Sequence, residues 1–464
     1  MPENVNIKIY RGANQIGGCA TEISCGEERI LIDLGANLPG TDETCSMSDE
    51  DLLAKVFDGR SCKGVLFTHY HGDHYGLFRG IPEETDMFIG KTAREIVSIV
   101  AKTLEKTSGK GDVEKLAAMK TFSHKEAIFA DGKIKVIPLM TDHSAMDSYM
   151  FLVEALGKKI LFTGDFRDHG IASEHNRFWE MAEENIPKDI DVLITEGTML
   201  SREKEAKKNI VRTEEELGRK AKEYCKECKY NFVLVSSTNL DTIMELYRNT
   251  PKGKMFIVDS YQAEIMLTAM QQRAEMFEKY GAFEIKNGEF CKPIYVIGKK
   301  KEGTHQVMIS KQRMKMLRDM AKQIHPNFHI GYADYIRMTE NGFVMLIRPN
   351  RYKEIYENCF EEAIREFSDK KVQLIYSMWK GYIEGDKTDQ DIRELTRRFE
   401  QKKDLHTSGH AYVETLAEFI KRIAPKVVIP MHTEFAQGFQ EKEAFSAYKG
   451  EVVLLEDLEN YEVK

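Results

Sequence analysis

The sequence predicts an α/β protein in which a layered sandwich of sheets and helices is interrupted by an inserted domain with a parallel sheet. Roughly the first 200 residues contain short strands separated by turns. After Thr198, apolar strands alternate with helices, which indicates a parallel sheet covered by helices. The chain then closes with further strands and helices. We therefore predict a first domain formed by residues 1–203 and 374–464, with an inserted α/β domain over 204–373.

Strands in the first part of the chain are short apolar or alternating runs bounded by turn residues. They are Ile7–Tyr10, Thr21–Ser24, Arg29–Ile32, Gly64–Phe67, Lys133–Pro138, Tyr149–Glu154, Lys159–Thr163 and Asp191–Thr195. Apolar residues spaced three and four apart predict helices at Ala93–Thr103 and Asp112–Met119.

The middle of the chain begins with a charged helical stretch, Glu203–Lys229, followed by strand–helix pairs. The pairs are Asn231–Val235 with Leu240–Arg248, Lys254–Val258 with Gln262–Lys279, Ile294–Ile297 with Lys311–Ile324, and Phe343–Ile347 with Tyr352–Phe367. The closing elements are the strand Val372–Tyr376, the helices Thr388–Lys402 and Tyr412–Ile423, the strand Lys426–Pro430, and one or two strands within Val452–Val463.

Several features indicate a cytoplasmic protein. No apolar run approaches the roughly 20 residues that span a bilayer, and the N-terminal residues form neither a basic leader nor an apolar stretch. The eight cysteines are scattered, which favours reduced thiols over a disulfide framework. Cys225 and Cys228 form a C-x-x-C pair without a second pair at zinc spacing, so incidental thiols are favoured over a structural zinc or redox site.

The charge of the chain is distributed unevenly. Residues 204–373 hold 31 lysines and arginines against 24 aspartates and glutamates, whereas the whole chain carries a net charge of −8. A basic segment within an acidic chain is typical of a surface that faces a polyanion. The alternative is a solvated face on a helical insert, which the charge alone leaves open.

The strongest chemical pattern is the stretch from Phe67 to His74, with the sequence F-T-H-Y-H-G-D-H. Four potential ligands lie within six residues, although histidine accounts for only 13 of 464 positions. Imidazole and carboxylate groups suit zinc, manganese or iron, and the absence of cysteine from this loop argues against a soft-metal site. Because the loop follows a strand, it can direct neighbouring side chains to two different ions.

This H-x-H-x-D-H pattern resembles the motif of the metallo-β-lactamase superfamily, and further motifs of that family follow in the expected order. Asp33 matches the aspartate that supports the metal loop, His143 the third histidine and Asp165 the bridging aspartate. The resemblance implies the αββα sandwich of that superfamily.

The resemblance also implies two divalent ions, with Zn²⁺ first and Mn²⁺ as the alternative. The implied ligands are His69, His71 and His143 for the first ion, Asp73, His74 and His432 for the second, and Asp165 between them. Two ions roughly 3.5–4 Å apart can share a hydroxide, so no protein nucleophile is needed. Asp73 is therefore expected to contribute to catalysis as a ligand and not as a free acid or base.

Three later motifs resemble the β-CASP subfamily, and their wording is similar to ribonuclease J and to the cleavage-and-polyadenylation nucleases. Glu196 matches the first motif, His410 in Ser-Gly-His-Ala the second, and His432 in Pro-Met-His-Thr-Glu the third. The resemblance implies that the insert is a β-CASP domain. It also implies that His410 stabilises charge at the scissile phosphate or acts as a general acid, while Glu196 orients or tunes a histidine that binds the metal.

Four polar residues are candidates for substrate binding. Ser408 could donate a hydrogen bond to a phosphate, and Ser236, Ser237 and Asn239 lie on a predicted strand-to-helix turn. Serine and asparagine are equally ordinary helix N-caps, so this alternative stays open. The lysines of 299–301 are better explained as a solvated loop.

The chain departs from the ribonuclease J pattern at particular positions. Tyr412 replaces a small hydroxyl residue, which puts recognition of a 5′-monophosphate in question, and Thr433 replaces glycine. The C-terminal domain linked to oligomerisation in ribonuclease J is missing, which leaves homo-oligomer formation open.

The leading hypothesis is a metal-dependent ribonuclease that cleaves single-stranded RNA internally, from the 5′ end, or in both ways. The alternatives are a DNA nuclease of the same fold, a hydrolase of small esters, thioesters or lactams, and an RNA-binding scaffold with an inactive site. The insert and His410 argue against a small substrate, and the complete ligand set argues against an inactive site.

Overall fold

A computed structural model describes residues 3–38, 45–108, 111–207, 210–280, 292–349, 359–384 and 389–464. Internal contacts divide the chain into two compact units. The first unit comprises Met1–Val97, Glu114–Lys208 and Ser408–Lys464, and the second comprises Ser98–Val113 and Asn209–Thr407. Strands and helices are numbered along the chain.

The first unit contains a mixed sheet of seven strands among the described residues. Its strands are β1 (Val5–Arg11), β2 (Ala20–Cys25), β3 (Glu28–Ile32), β4 (Val65–Leu66), β5 (Met87–Gly90), β6 (Lys120–Phe122) and β22 (Asn460–Glu462). They lie in the order β22-β1-β2-β3-β4-β5-β6. The pairs from β22 to β3 are antiparallel, and those from β3 to β6 are parallel.

A second sheet of the same unit has six strands in the part of the chain that the structure describes. They are β7 (Ile134–Thr141), β8 (Ser148–Ala155), β9 (Lys158–Phe162), β10 (Val192–Glu196), β20 (Val427–Met431) and β21 (Glu451–Val452). Their order is β21-β20-β10-β9-β8-β7, with β7, β8 and β9 antiparallel and the pairs from β9 to β21 parallel.

Helices accompany both sheets. Those that lie wholly or partly in the first unit are α1 (Asp49–Val56), α2 (Gly72–Tyr75), α3 (Lys91–Ser108), α4 (Val113–Ala117), α5 (Arg177–Asn185), α6 (Thr198–Ala206), α14 (Val413–Ile423) and α15 (Gly438–Glu441). No described helix is long and apolar enough to cross a membrane.

Side-chain alternation along the strands produces the layers of this unit. Phe151 and Phe162 belong to the buried cluster that joins the inner faces of the two sheets. Their neighbours Leu152 and Leu161 point to the opposite face, where they pack in a second cluster with Phe419 of α14. The two sheets thus pack face to face, with helices outside them, as the αββα prediction requires.

The second unit is built on a seven-stranded sheet, counted over its described residues, in which every pair of neighbours is parallel. Its strands are β11 (Tyr230–Val235), β12 (Met255–Asp259), β13 (Ile294–Ile297), β16 (Ile330–Tyr332), β17 (Phe343–Ile347), β18 (Val372–Ser377) and β19 (Lys402–Asp404), in the order β16-β13-β12-β17-β11-β18-β19. Two further strands, β14 (Lys299–Lys300) and β15 (Val307–Met308), form a hairpin.

The helices of the second unit connect these strands. They are α7 (Glu214–Glu227), α8 (Leu240–Asn249), α9 (Ser260–Tyr280), α10 (Lys311–Ile324), α11 (Tyr335–Asn341), α12 (Cys359–Glu366) and α13 (Gln390–Arg397). Parallel strands require such crossover connections, and the apolar faces of α11, α12 and α13 contribute to the buried cluster around the sheet.

The predicted fold class is confirmed: mixed sheets in one unit and an all-parallel sheet in the other are consistent with a metallo-β-lactamase fold carrying a β-CASP insert. The predicted domain limits remain a prediction. The second compact unit reaches Thr407 and not residue 373, because β18 and β19 complete its parallel sheet.

Some elements differ from their prediction. The charged stretch Glu203–Lys229 contains parts of two helices, because Thr213 forms a capping box with Glu216 and starts α7 afresh. The helix expected to reach Lys402 ends at Arg397, and β19 follows. The predicted starts of that helix, at Thr388, and of the one at Tyr352 lie outside the described residues. The short strands β5, β6 and β16 were not predicted, since three or four residues carry little periodicity.

Candidate metal centre

The histidine-rich loop lies in the first unit, between β4 and α2. β4 ends at Leu66, and His71 is the residue immediately before α2, with an extended backbone. Asp73 and His74 therefore lie in the first turn of a helix, whereas His69 and His71 precede it. This change of backbone direction within six residues lets one loop point ligands to two places.

Three imidazole nitrogens converge at the first place. Nε2 of His69 and Nε2 of His143 each lie 3.1 Å from Nδ1 of His71. Nitrogens bound tetrahedrally to one zinc ion at 2.0–2.1 Å would lie about 3.3 Å apart. The three residues also form one of the groups whose ligand atoms are all close enough to hold an ion.

Hydrogen bonds at the far side of these rings fix which nitrogen faces the centre. His143 donates through Nδ1 to the carbonyl of Gly409 at 2.6 Å, and His69 donates through Nδ1 to Oγ1 of Thr68 at 3.0 Å. In each neutral ring this leaves a lone pair on Nε2. Burial lowers the pKa of His69 and His143 well below the ordinary value, so both rings are in the neutral form that binds metals.

A second group of ligand atoms lies beside the first. Oδ2 of Asp73 is 3.3 Å from Nε2 of His432 and 4.0 Å from Nε2 of His74. His432 is oriented by Thr198, whose hydroxyl accepts from Nδ1 at 2.7 Å and donates to the His432 carbonyl at 3.2 Å. His74 is oriented by Asp33, at 2.8 Å from its Nδ1. Both histidines thus direct Nε2 to the same side as Asp73.

Asp165 lies between the two groups. Its Oδ2 is 3.1 Å from Nε2 of His74 and 3.9 Å from the Nε2 atoms of both His69 and His143. Among the described residues, Oδ1 of Asp165 is buried and has no hydrogen-bonding partner, and the buried Nε2 of His74 has only Oδ2 of Asp165 close to it. Buried polar atoms are rarely left without a partner, so a cation fits this space.

The electrostatics of the second group also favour a cation. Burial opposes charge there, but the carboxylates of Asp165, Asp33 and Asp73 raise the pKa of His74 well above its ordinary value. Burial likewise opposes ionisation of Asp73, but His74 and then His432 lower its pKa. Two buried carboxylates and a half-buried one around a single imidazole therefore favour positive charge, which divalent ions would supply.

Asp33 supports the loop from Phe67 to His74 through hydrogen bonds. It follows β3 with a left-handed backbone (φ 59°) and is completely buried. Its carboxylate accepts from the amide of Thr68 at 2.8 Å and from the Thr68 hydroxyl, and it fixes the ring of His74. This is the geometry expected of the aspartate that supports the loop.

His410 and Glu196 form a pair at the edge of the centre. Nδ1 of His410 is 3.0 Å from Oε2 of Glu196 and 3.5 Å from Oδ2 of Asp165. Oε1 of Glu196 accepts from the amides of Phe166 at 3.0 Å and Ala411 at 3.4 Å, which keeps the carboxylate in place. Burial opposes protonation of His410, but Glu196 and then Asp165 raise its pKa above the ordinary value.

The predicted substrate-binding residues occupy two different units. Ser408 is buried in the first, where its hydroxyl accepts from the amide of His410 at 3.0 Å. In the second unit, Asn239 caps α8 by accepting from Thr242 at 3.4 Å, as the alternative interpretation held. Ser236 and Ser237 lie just before it, with Oγ of Ser237 3.4 Å from the Tyr261 hydroxyl. Their contact with a substrate stays a prediction.

A buried arginine that the sequence did not reveal organises the motif around His410. Arg167 is fully buried, and it donates to Asp142 at 3.2 Å and to the carbonyl of Ser408 at 2.9 Å. His169 also approaches that carbonyl, at 3.0 Å. Because Asp142 precedes His143, Arg167 connects the third histidine of the first group to the segment that carries His410.

Two other contributors were also missed. Thr198, which orients His432, follows the matched Glu196 by only two positions. Its hydroxyl group close to a motif is the feature of the sequence that could have revealed it. Cys19 lies far upstream in the sequence, yet its Sγ groups with ligand atoms of His74 and His432 within 4.8 Å. Cys19 lies outside the loop from Phe67 to His74, so the absence of cysteine from that loop does not exclude a thiol ligand. The C-x-x-C cysteines, Cys225 and Cys228, are buried free thiols.

Known protein families match two segments of the chain. Residues 23–171, which include the loop, His143 and Asp165, match the model of the metallo-beta-lactamase superfamily. Residues 395–454, which include His410 and His432, match the model described as Zn-dependent metallo-hydrolase RNA specificity domain. The chain carries a metallo-β-lactamase superfamily domain over residues 23–171. Its histidine and aspartate clusters are suited to metal binding, as a Zn-dependent metallo-hydrolase of that superfamily requires.

Individual relatives extend over the whole chain. Ribonuclease J of Mycoplasma genitalium is 20% identical over 478 residues, covering 98% of this chain and 74% of that protein. The crystal structure of a protein of unknown function from Enterococcus faecalis V583 has the same fold, with a TM-score of 0.67 and 19% identity. That match covers 99% of this chain and 100% of the other.

Proposed function

We propose that this protein is a ribonuclease that hydrolyses RNA phosphodiester bonds with two bound divalent ions, zinc in preference to manganese. The observation that carries the proposal is the position of Asp165 between two groups of converging ligand atoms, next to the His410–Glu196 pair. Phosphodiester hydrolysis of this kind needs two adjacent metal positions and a separate acid–base group.

In this proposal His69, His71 and His143 would hold the first ion, and Asp73, His74 and His432 would hold the second. The carboxylate of Asp165 lies beside both groups. When bound, the ions activate water and neutralise the charge of the attacked phosphate. Asp33 and Thr198 keep two of the ligands oriented through the nitrogens that face away from the centre.

His410 supplies the proton for the leaving oxygen. Its Nδ1 is engaged by Glu196, so Nε2 is the atom that can carry a proton toward the substrate. The Glu196 carboxylate stabilises the imidazolium form, and two backbone amides hold that carboxylate in place. Glu196 therefore acts through His410 as a positioning residue, whereas the family resemblance implied that it would orient or tune a metal-ligating histidine.

RNA is the proposed substrate for two reasons. The model matched by residues 395–454 is named for RNA specificity, and ribonuclease J is similar over nearly the whole chain. In addition, the segment 204–373 carries a net charge of +7, which would supply salt-dependent affinity for a polyanion. A single strand is favoured because its flexible backbone can enter a buried centre.

The proposal is tested with single-stranded RNA and DNA of one sequence, each incubated with zinc-loaded and manganese-loaded protein. We expect cleavage of the RNA, and we expect His410→Ala to keep both ions while its rate falls by about 100- to 10,000-fold. Equal cleavage of the DNA would show that the sugar is not read. Cleavage of neither polymer, with hydrolysis of small esters or lactams, would refute the proposal.

RNA substrates of one sequence that differ only in their 5′ end test the mode of cleavage. Tyr412 is buried and stacks on the ring of His169, with centroids 4.5 Å apart. This position carries a small hydroxyl residue in the ribonuclease J pattern, so we expect cleavage to be insensitive to a 5′-monophosphate. A strong preference for 5′-monophosphorylated RNA over 5′-triphosphorylated RNA would contradict that expectation.

A further inference from the structure

Cys19 lies in the connection between β1 and β2, next to the second group of ligand atoms. Its amide donates to the carbonyl of Asp73 at 3.0 Å, and its carbonyl accepts from the amide of Gly35 at 2.9 Å. The side chain is completely buried. The first of these bonds fixes Cys19 against the loop that carries Asp73, and the second fixes it against the segment that follows Asp33.

The thiol itself faces the segment that carries His432. A Cβ placed on Gly12 would lie 3.3 Å from Sγ of Cys19, and the carbonyl of Gly12 accepts from the amide of His432 at 2.7 Å. Sγ, one ring nitrogen of His74 and one of His432 all lie within 4.8 Å of one another. Such a set is compact enough to surround one ion.

A separate observation also indicates a ligand at this position. Nε2 of His74 and Oδ1 of Asp165 are buried without a well-formed hydrogen bond among the described residues, although Oδ2 of Asp165 lies 3.1 Å from that Nε2. Burial opposes charge here, but the surrounding carboxylates raise the pKa of His74, so an ion bound here would displace a ring proton before Nε2 could serve as a ligand. The thiol of Cys19 packs in the buried cluster between the sheets, where burial and then the carboxylate of Asp165 raise its pKa well above the ordinary value, so the thiolate would form only against a bound cation.

We propose that Sγ of Cys19 is an additional ligand of the ion held by Asp73, His74 and His432. This inference rests on the proposed two-ion centre. On binding, the S–H bond breaks, the proton passes to solvent and the sulfur lone pair forms the bond to the ion, without any change of oxidation state. Because thiolate is a soft donor, the second position then selects zinc or cobalt over manganese and magnesium.

The test replaces the native ions with Co²⁺, whose bond to a thiolate produces a near-ultraviolet charge-transfer absorption that imidazole and carboxylate ligands do not produce. We expect this band when two cobalt ions are bound per chain, and we expect its loss in Cys19→Ser. Cys62→Ser is the matched control, because Cys62 is a half-buried thiol that approaches the carbonyl of Gly64, away from the ligand atoms. It should keep the band.

A second readout is the metal preference of the same variants. Changes in outer-shell partners already weaken metal affinity by about 10- to 100-fold, so loss of a ligand should weaken zinc binding at the second position by at least about tenfold. Manganese binding should change much less. This comparison is made by competitive titration, with circular dichroism confirming that each variant is folded.

The outcomes separate the two proposals. Two bound cobalt ions without the band in the wild-type protein, a measurement that needs no variant, would overturn the role of Cys19 and leave the two-ion centre intact. Persistence of the band in Cys19→Ser would also overturn it. Binding of fewer than two cobalt ions would overturn both this inference and the proposed function.

Discussion

The hydrogen bond between Glu196 and His410 provides the sharpest test of how the centre handles protons. Replacement of Glu196 by glutamine keeps the size of the side chain and its capacity to accept from the amides of Phe166 and Ala411. It removes the negative charge 3.0 Å from Nδ1 of His410. The carboxylate is almost completely buried, and the His410 side chain is 21% exposed, so solvent screens their interaction only partly.

The magnitude follows from the strength of such a bond. Hydrogen bonds to charged groups contribute about 1.5–3 kcal/mol, and one pKa unit corresponds to about 1.36 kcal/mol. Glu196→Gln should therefore destabilise the protonated form of His410 by about 1.5–3 kcal/mol and lower its pKa. The wild-type pKa is raised above its ordinary value, so the acidic form persists to a higher pH in the wild type than in the variant.

The assay is a single-turnover rate of RNA cleavage as a function of pH, with bound metal measured at each pH. In both proteins the rate falls as pH rises through the pKa of His410, because the proton for the leaving oxygen is lost. That alkaline limb should begin at a lower pH in Glu196→Gln, because the protonated form of His410 has lost its charged partner. Glu84→Gln, a change at an exposed position, should leave it unmoved.

An alkaline limb at the same pH in wild type and Glu196→Gln would refute this reasoning. Loss of one metal ion from the variant, with no change in the profile of the remaining active protein, would instead make Glu196 a ligand. Stopped or slowed cleavage alone would not distinguish these cases, which is why metal content is measured beside the rate.

Three further changes test the supports of the centre and the fold. Asp33→Asn should weaken metal affinity at the second position by about 10- to 100-fold, because the ring of His74 loses its carboxylate partner; unchanged affinity in a competitive titration would contradict this. Glu22→Ala removes the carboxylate 2.8 Å from the buried guanidinium of Arg29, which keeps three backbone carbonyl acceptors and a longer contact of 3.8 Å with Asp58. It should cost about 1–3 kcal/mol in urea denaturation, and an unchanged free energy of unfolding would contradict the burial argument. Asp147→Ala removes the acceptor for two amides at the start of α3 and should lower the free energy of unfolding by about 1–3 kcal/mol in the same denaturation. An unchanged midpoint would contradict this and show that water replaces the cap.

Much of the fold was predictable because local pattern and tertiary role agree. Strands such as β1, β3 and β10 are continuous apolar or alternating runs that become the buried faces of sheets. The alternation of strands and helices after Thr198 predicted a parallel sheet for a physical reason, since parallel neighbours need crossover connections. Very short strands such as β16 and β19 depend on a partner already in place, so their own sequence does not reveal them.

The same contrast between local pattern and distant partners explains which residues of the candidate metal centre were predictable. The loop from Phe67 to His74 concentrates its ligands within one short segment, which made it visible in the sequence. Arg167 and Cys19 act through partners that are distant along the chain: Arg167 through Ser408, and Cys19 through its position beneath His74. A single arginine or cysteine in an ordinary strand-end context carries no local pattern, so only the assembled fold reveals its surroundings.

The central claim is that the clustered histidines and aspartates form a two-ion centre that hydrolyses RNA. The most direct measurement is a time course with single-stranded RNA labelled at its 5′ end, comparing zinc-loaded wild type with Asp73→Asn. We predict cleavage by wild type only, with RNA binding by the variant unchanged within a few-fold because lysines and arginines of 204–373 supply the affinity. Labelled mononucleotide from the start would indicate exonuclease action, and longer labelled fragments endonuclease action. Cleavage by Asp73→Asn at the wild-type rate would contradict the account.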